Sequence, residues 1–162
     1  MTITKDQIWD LLKEVQDPEI PVLNIVEMGI VRDVELGGSH IVIEITPTYS
    51  GCPAMKAIED EIIDLLYSQG IKDVKVKKVY AEAWTTDWLS DETKKKLQDY
   101  GIAPPEGKAD DDFYMEKVAR TITCPFCKSN NTKLTSQFGS TACKSLHYCN
   151  NCHQPFEHFK CV

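Results

Sequence analysis

Cys124-Pro125-Phe126-Cys127, then 21 residues, then Cys149-Asn150-Asn151-Cys152: this stretch decides how the end of the 162-residue chain folds. A Cys-x-x-Cys turn can aim two sulfurs at one point, because a tight knuckle exposes backbone N–H groups toward the thiolates, and two knuckles complete a tetrahedron. The intervening residues are long enough for a hairpin. Leu134 to Phe138 reads as one strand, Ser145 to Tyr148 as the next, and Gln154 to Phe159 as a third, with Phe156 and Phe159 as a small core. A module of about 40 residues lacks the buried area to fold alone, and four Zn–S bonds of roughly 2.3 Å would supply the missing free energy. The spacing predicts a C-terminal β zinc ribbon over residues 119–162, held by structural Zn2+ on Cys124, Cys127, Cys149 and Cys152. A redox dithiol or an iron–sulfur site draws on the same residue type. Two pairs at this spacing favour a closed metal site over a thioredoxin-like thiol pair.

Outward from the ribbon, charge divides the chain. Residues 119–162 hold five Lys/Arg against the single Glu157, a net of +4, whereas residues 1–118 hold 13 Lys/Arg against 24 Asp/Glu, a net of −11. Between them Ala103-Pro104-Pro105-Glu106-Gly107-Lys108-Ala109-Asp110-Asp111-Asp112 stops a helix and offers nothing to bury. It predicts a linker over 103–118 after a first domain of 1–102. No uncharged apolar run reaches the roughly 18 residues that a bilayer span needs. The start, Met1-Thr2-Ile3-Thr4-Lys5-Asp6, lacks the apolar stretch of a secretory signal. The expected compartment is therefore the cytoplasm, where reducing conditions direct seven cysteines toward metal or thiol chemistry rather than disulfides.

The first domain shows clear periodicities. Thr4 with Gln7 resembles a capping box, and Ile8, Leu11, Leu12 and Val15 follow at i, i+3, i+4 and i+7, a short amphipathic helix ended before Pro18. Ile30 to Leu36 and Ile41 to Thr46 flank Gly37-Gly38-Ser39-His40 as a hairpin, with Ile41, Ile43 and Ile45 alternating against Val42, Glu44 and Thr46. A helix from about Pro53 to Ser68 presents Ile58, Ile62, Leu65 and Leu66, and Gly70 closes it. Val74 and Val76 mark a third strand. A last helix begins at the N-cap Ser90 and packs Leu97 and Tyr100 before Gly101. The order α-β-β-α-β-α predicts an α+β domain, a small mixed sheet with helices on one face.

Outside the ribbon ligands, Cys52 stands in Ser50-Gly51-Cys52-Pro53, where Pro53 suits the first helical position and places the sulfur at the positive end of a helix. That placement predicts a lowered thiol pKa, suited to metal binding or nucleophilic attack; the other reading is a cysteine buried at a tight turn. Cys143 and Cys161 read as small apolar fillers or, less simply, as further ligands or redox thiols. Asp17 and Glu19 could supply oxygen contacts near Cys52, although acids flanking a proline are commonly solvated turn residues. Trp84 and Trp88 read as core and lid, or as a partner surface.

Four stretches carry a resemblance over residues 1 to about 100: Asp17-Pro18-Glu19-Ile20-Pro21-Val22, Met28-Gly29-Ile30-Val31, Thr46-Pro47-Thr48-Tyr49-Ser50-Gly51-Cys52-Pro53 and Trp84-Thr85-Thr86-Asp87-Trp88. They resemble the SufT-like iron–sulfur assembly accessory family. The stretch Phe138-Gly139-Ser140-Thr141-Ala142-Cys143-Lys144, the two knuckles and the ending Phe159-Lys160-Cys161 resemble the PaaD family of the phenylacetyl-CoA 1,2-epoxidase system. The resemblance implies an accessory role in aerobic phenylacetate breakdown, assisting metal-centre or iron–sulfur maturation through Cys52, with iron or an iron–sulfur cluster as a transient cargo. The partners it implies are oxygenase or reductase subunits of that system, and a homodimer stays open.

The residues agree with an accessory role and no independent enzyme activity. There are no Glu-x-x-His pairs for two irons, no glycine-rich dinucleotide fingerprint and no Ser/His/Asp set that spacing would support. A general iron–sulfur assembly factor is the nearest alternative. A nucleic-acid-binding ribbon is another, but four thiolates on Zn2+ carry −2 and leave about +2 beside a domain of −11, a poor footprint for phosphate. A thiol oxidoreductase using one Cys-x-x-Cys pair is the third. Neither nucleic acid nor membrane is an expected partner.

Overall fold

The computed structural model describes residues 3–38, 40–107 and 121–160. Two compact units divide it, Met1–Trp84 and Thr85–Val162.

In the first unit, α1 (Lys5–Leu12) opens on the capping box: Thr4 Oγ1 accepts the Gln7 N–H at 3.3 Å, and Gln7 Oε1 accepts the Thr4 N–H at 2.9 Å. The helix buries Ile8 and Leu12 and stops at Lys13, earlier than the periodicity through Val15 implies. Val15 stays in the core but leaves the helix because its carbonyl accepts the Ile25 N–H at 3.0 Å, tying it to the following loop. Strands β1 (Val31–Gly37) and β2 (His40–Ile45) form the expected hairpin, with Gly38 at φ +50. After α2 (Ala54–Ser68), β3 (Val74–Lys78) pairs in parallel with β2, giving a mixed sheet ordered β1-β2-β3. Val34, Ile41, Ile43 and Ile45 on the strands and Ile58, Ile62 and Leu66 on α2 are buried. The loop Thr46 to Pro53 leaves the C-terminal end of β2 and enters α2, the end of parallel strands where open sheets collect their ligands. Trp84 is core: its Nε1–H donates to the Met28 carbonyl at 2.6 Å.

The second unit begins with a 3-10 turn, Thr86–Trp88, and α3 (Asp91–Tyr100), capped by Ser90 Oγ on the Thr93 N–H at 3.1 Å and closed by Gly101 at φ +94. Then β4 (Ile102–Ala103), β5 (Thr132–Ser136), β6 (Lys144–Cys149) and β7 (Pro155–Phe159) form a sheet ordered β4-β7-β6-β5. β4 runs parallel to β7, with Ile102 opposite Glu157 and Ala103 opposite His158. The α-β-β-α-β-α order and the ribbon strands are thus present. The grouping differs from composition: α3 and Ala103, expected in the first domain and the linker, belong to the unit that holds the ribbon. Two residues suffice for β4 and are too few to leave a period in the sequence. Pro105 is also buried, and the rest of the expected linker, 108–118, lies outside the described residues. Tyr100 is 56% exposed rather than packed; α3 buries Thr93 and Leu97.

Candidate metal centre and the Cys52 loop

The two knuckles repeat one hydrogen-bond pattern. Cys124 N–H donates to the Ser129 carbonyl at 2.9 Å and Lys128 N–H returns to the Cys124 carbonyl at 3.0 Å. Cys149 N–H donates to the Gln154 carbonyl at 3.0 Å and His153 N–H returns to the Cys149 carbonyl at 3.0 Å. Closing each loop forces the residue after the second cysteine into the left-handed region, Lys128 at φ 63 and His153 at φ 59. Such strain, on the order of 1 kcal/mol per residue, persists where the surroundings over-determine it. The consequence is convergence: the sulfurs of Cys124, Cys127, Cys149 and Cys152 all lie within 4.8 Å of one another. Cys124 Sγ is 3.7 Å from Cys152 Sγ, and Cys127 Sγ is 3.6 Å from Cys149 Sγ. A tetrahedron with metal–sulfur bonds of roughly 2.3 Å has edges of about 3.8 Å, so these two pairs already stand at the spacing a bound Zn2+ requires and no pair exceeds it by more than about 1 Å.

Electrostatics favour the same occupant. The backbone at Ser129, against the cost of burial and with help from Asn151, lowers the Cys127 thiol to about 6. Burial pushes Cys152 up to about 12, the neighbouring sulfurs adding to it. Four sulfurs this close cannot all lose their protons without a cation to take their place. Cys124 and Cys149 are buried with Ala103, Ile122 and Phe156, so the cluster is also the centre of the unit's core. It is the one group of three or more His, Cys, Asp or Glu side chains among the described residues that could hold a metal ion.

Cys52 belongs to the first unit. Pro53 takes the N-cap position of α2 rather than the first helical one, so Cys52 precedes the helix by one residue more than expected. Its thiol pKa is raised, not lowered. Burial is the largest cause and the Glu19 carboxylate adds to it, outweighing hydrogen bonds from the Ala54 N–H, Thr48 and Tyr49. Glu19 is therefore near the sulfur, and the Tyr49 hydroxyl lies 3.5 Å from Glu19 Oε1. Asp17 is buried, not a solvated turn acid: its Oδ1 accepts the Glu19 and Ile20 N–H groups, both at 2.8 Å. Those bonds fix the turn that delivers Glu19. Thr48 and Tyr49 were the neighbours that sequence reading did not single out, although both stand in the quoted Thr46 to Pro53 run.

Cys143 is buried with its Sγ 3.1 Å from Thr141 Oγ1, away from the four-sulfur cluster, and Cys161 lies outside the described residues. Also unforeseen was an ion pair in the ribbon between the buried Lys144 and the half-buried Glu157, Nζ to Oε2 at 3.2 Å. No helix among the described residues is long and apolar enough to cross a membrane.

Comparisons with known proteins follow this division. Residues 5–79 match the family model "Iron-sulfur cluster assembly protein", and residues 108–160 match "PaaD zinc beta ribbon domain". The chain is 44% identical over 156 residues to an Escherichia coli (strain K12) protein described as the putative D component of 1,2-phenylacetyl-CoA epoxidase, covering 96% of this chain and 92% of that one. It is 33% identical over 96 residues to the "Fe-S protein maturation auxiliary factor" of Porphyromonas gingivalis (strain ATCC BAA-308 / W83), covering 58% of this chain and 90% of that one. Among solved structures, a domain of unknown function from Bacillus anthracis superposes with a TM-score of 0.53 at 27% identity, over 57% of this chain and 90% of that chain.

Proposed function

We propose that this chain, which belongs to the PaaD family of 1,2-phenylacetyl-CoA epoxidase components, is an accessory component of such a system. In this reading it assists maturation of a metal or iron–sulfur centre in the oxygenase or reductase components and has no independent oxygenase activity. The observation that carries the reading is the 44% identity over 96% of the chain, which spans both the assembly-type unit and the ribbon.

The two thiol sites then divide the work. Cys124, Cys127, Cys149 and Cys152 hold a structural Zn2+, which ties the ribbon together. Cys52 is the functional thiol, with Glu19 beside it and Asp17 fixing Glu19's turn. Its raised pKa keeps the sulfur protonated at neutral pH, and an arriving iron cation or cluster displaces the proton, since the Glu19 carboxylate that opposes a bare thiolate attracts a cation. The setting is the cytoplasm.

Co-expression of the epoxidase components with this chain tests the reading. Cys52→Ser should keep the fold and zinc content while lowering the iron content of a partner component. Unchanged partner iron and unchanged epoxidation would make Cys52 a packing residue and the chain a scaffold. A second reading, a general iron–sulfur assembly factor, is favoured by the likeness to the maturation auxiliary factor. Under it, loss of the chain should lower iron–sulfur enzyme activities in cells that do not express the epoxidase.

A further inference from the structure

Phe138-Gly139-Ser140-Thr141-Ala142-Cys143-Lys144 connects β5 to β6, and a set of hydrogen bonds along it holds its shape. Gly139 N–H donates to the Lys144 carbonyl at 2.7 Å, Lys144 N–H to the Thr141 carbonyl at 3.2 Å, and Lys160 N–H to the Cys143 carbonyl at 3.0 Å. β7 pins the loop through one carboxylate. Glu157 Oε1 accepts the Ser140 N–H at 2.5 Å, while Oε2 meets Lys144 Nζ, on a lysine only 4% exposed. A Cβ on Gly139 would stand 2.6 Å from Glu157 Oε1, so glycine is what lets the carboxylate approach. Burying an ion pair is a weak way to gain stability, and its better-attested use is to fix one arrangement.

What this arrangement holds out is Phe138, 65% exposed, with Lys160 Nζ 4.7 Å from its ring centroid. Lys160 is itself tethered to the Gln137 carbonyl at 3.1 Å. Leu134, on the strand leading into the loop, is 45% exposed. A shift of register between Leu134 and Ser136, together with Lys133, blunts the outer edge of β5 against strand addition, so a partner here would read side chains rather than backbone. Aromatic anchors held ready before contact dominate interface energies, because little ordering entropy is left to lose on binding. Charge narrows the partner. Of the four lysines in residues 121–160, Lys144 is matched by Glu157, the one acid there, whereas Lys160 stands over the Phe138 ring and puts a cation at the anchor itself.

We infer that Phe138, with Lys160 over its ring and Leu134 on the strand before it, is the anchor by which the ribbon docks on a protein partner, in an apolar socket rimmed by carboxylates. One aromatic with a single lysine over its ring lacks the succession of rings that a nucleic-acid platform uses. The choice of probe rests on the accessory-component reading.

The test titrates the full-length, zinc-loaded chain against the purified oxygenase and reductase components of the phenylacetyl-CoA epoxidase from the same organism, at low and high salt. Phe138→Ala should weaken binding to one component about thirty-fold or more, the scale of an interface hot spot. Phe138→Trp should retain it. Lys160→Gln should weaken binding and flatten its salt dependence. Zinc content and unfolding temperature should stay as in wild type, since Phe138 is exposed. Wild-type binding that survives Phe138→Ala overturns the docking inference alone. A chain that binds neither component overturns it together with the accessory reading. Binding of single-stranded DNA or anionic vesicles that is lost in Phe138→Ala assigns the anchor to another class of partner and also overturns it.

Discussion

Replacing Cys149 by serine is expected to unfold more than the ribbon. Cys149 is fully buried in a cluster with Ala103, Ile122, Cys124 and Phe156. Burying Ile122 and Phe156 is worth about 1.5–3 kcal/mol each, whereas structural zinc in a small module contributes on the order of 10–16 kcal/mol. Metal therefore outweighs the apolar side chains packed around it, and losing a ligand should release both. β4 owes its pairing to β7, and Ala103 is one of the five buried residues around the cysteines. Phe126, inside the first knuckle, lies against Gly101 at the end of α3. Unfolding should accordingly run back through β4 into α3. Hydrogen exchange on the full chain is the assay: Cys149→Ser, or wild type treated with a strong chelator, should lose amide protection at Leu97 and Ala103 together with β5 to β7. Protection in α1, α2 and β1 to β3 should persist. If Leu97 and Ala103 keep wild-type protection after the zinc is gone, the unit boundary near Trp84 is not a folding boundary, and the composition-based division at 102/103 is the better one.

Glu157→Gln removes the carboxylate that Lys144 and the Ser140 N–H share and should destabilise the second unit by about 1–3 kcal/mol, read as a lowered unfolding transition in the zinc-loaded protein. Gly101→Ala meets both a left-handed φ of +94 and a Phe126 ring atom 3.1 Å from the new Cβ; a loss of about 1–2 kcal/mol is expected by denaturant titration. Cys52 should alkylate in zinc-loaded protein ahead of the four clustered cysteines, at a rate that rises with pH to a midpoint above 9.0, because its thiol pKa is raised. Glu19→Gln removes a charge that opposes the thiolate, so its midpoint should fall; a wild-type midpoint below 9.0 would contradict the burial assigned to this sulfur.

The elements that sequence made legible are those with a period or a cap. Thr4 and Gln7 announced α1, the alternation through Ile41, Ile43 and Ile45 announced β2, and Ser90 and Gly101 bracketed α3. The four clustered cysteines were legible for a different reason, since Cys-x-x-Cys spacing encodes the knuckle itself. What escaped was tertiary. Two residues of β4 carry no period, so prolines and acids just beyond them place the composition-based boundary at 102/103, after the division at Trp84. The left-handed Lys128 and His153 gave no signal, because neither is the glycine or asparagine that usually marks that conformation. The Cys52 pKa went the wrong way because helix position was visible in sequence while burial and the nearby Glu19 were not.

That reversal matters for how one chain could use two kinds of thiol site. In the four-sulfur cluster the directions are mixed, Cys127 lowered by the Ser129 backbone and Asn151 and Cys152 raised by burial, so it takes a bound cation to hold all four as thiolates. In the proposed role Cys52 binds its metal alone among the cysteines of its loop. At Cys52 the free thiolate is penalised by burial and by Glu19, so the thiol stays protonated at neutral pH. A cation changes the sign of the Glu19 contribution, from repulsion of a bare thiolate to attraction of the metal–thiolate pair. If Cys52 holds a metal as proposed, one sulfur and a nearby carboxylate are too few ligands to close a coordination shell, and a partner offering more ligands would withdraw the metal. In the accessory reading, the raised pKa of Cys52 therefore helps the loop release what it carries.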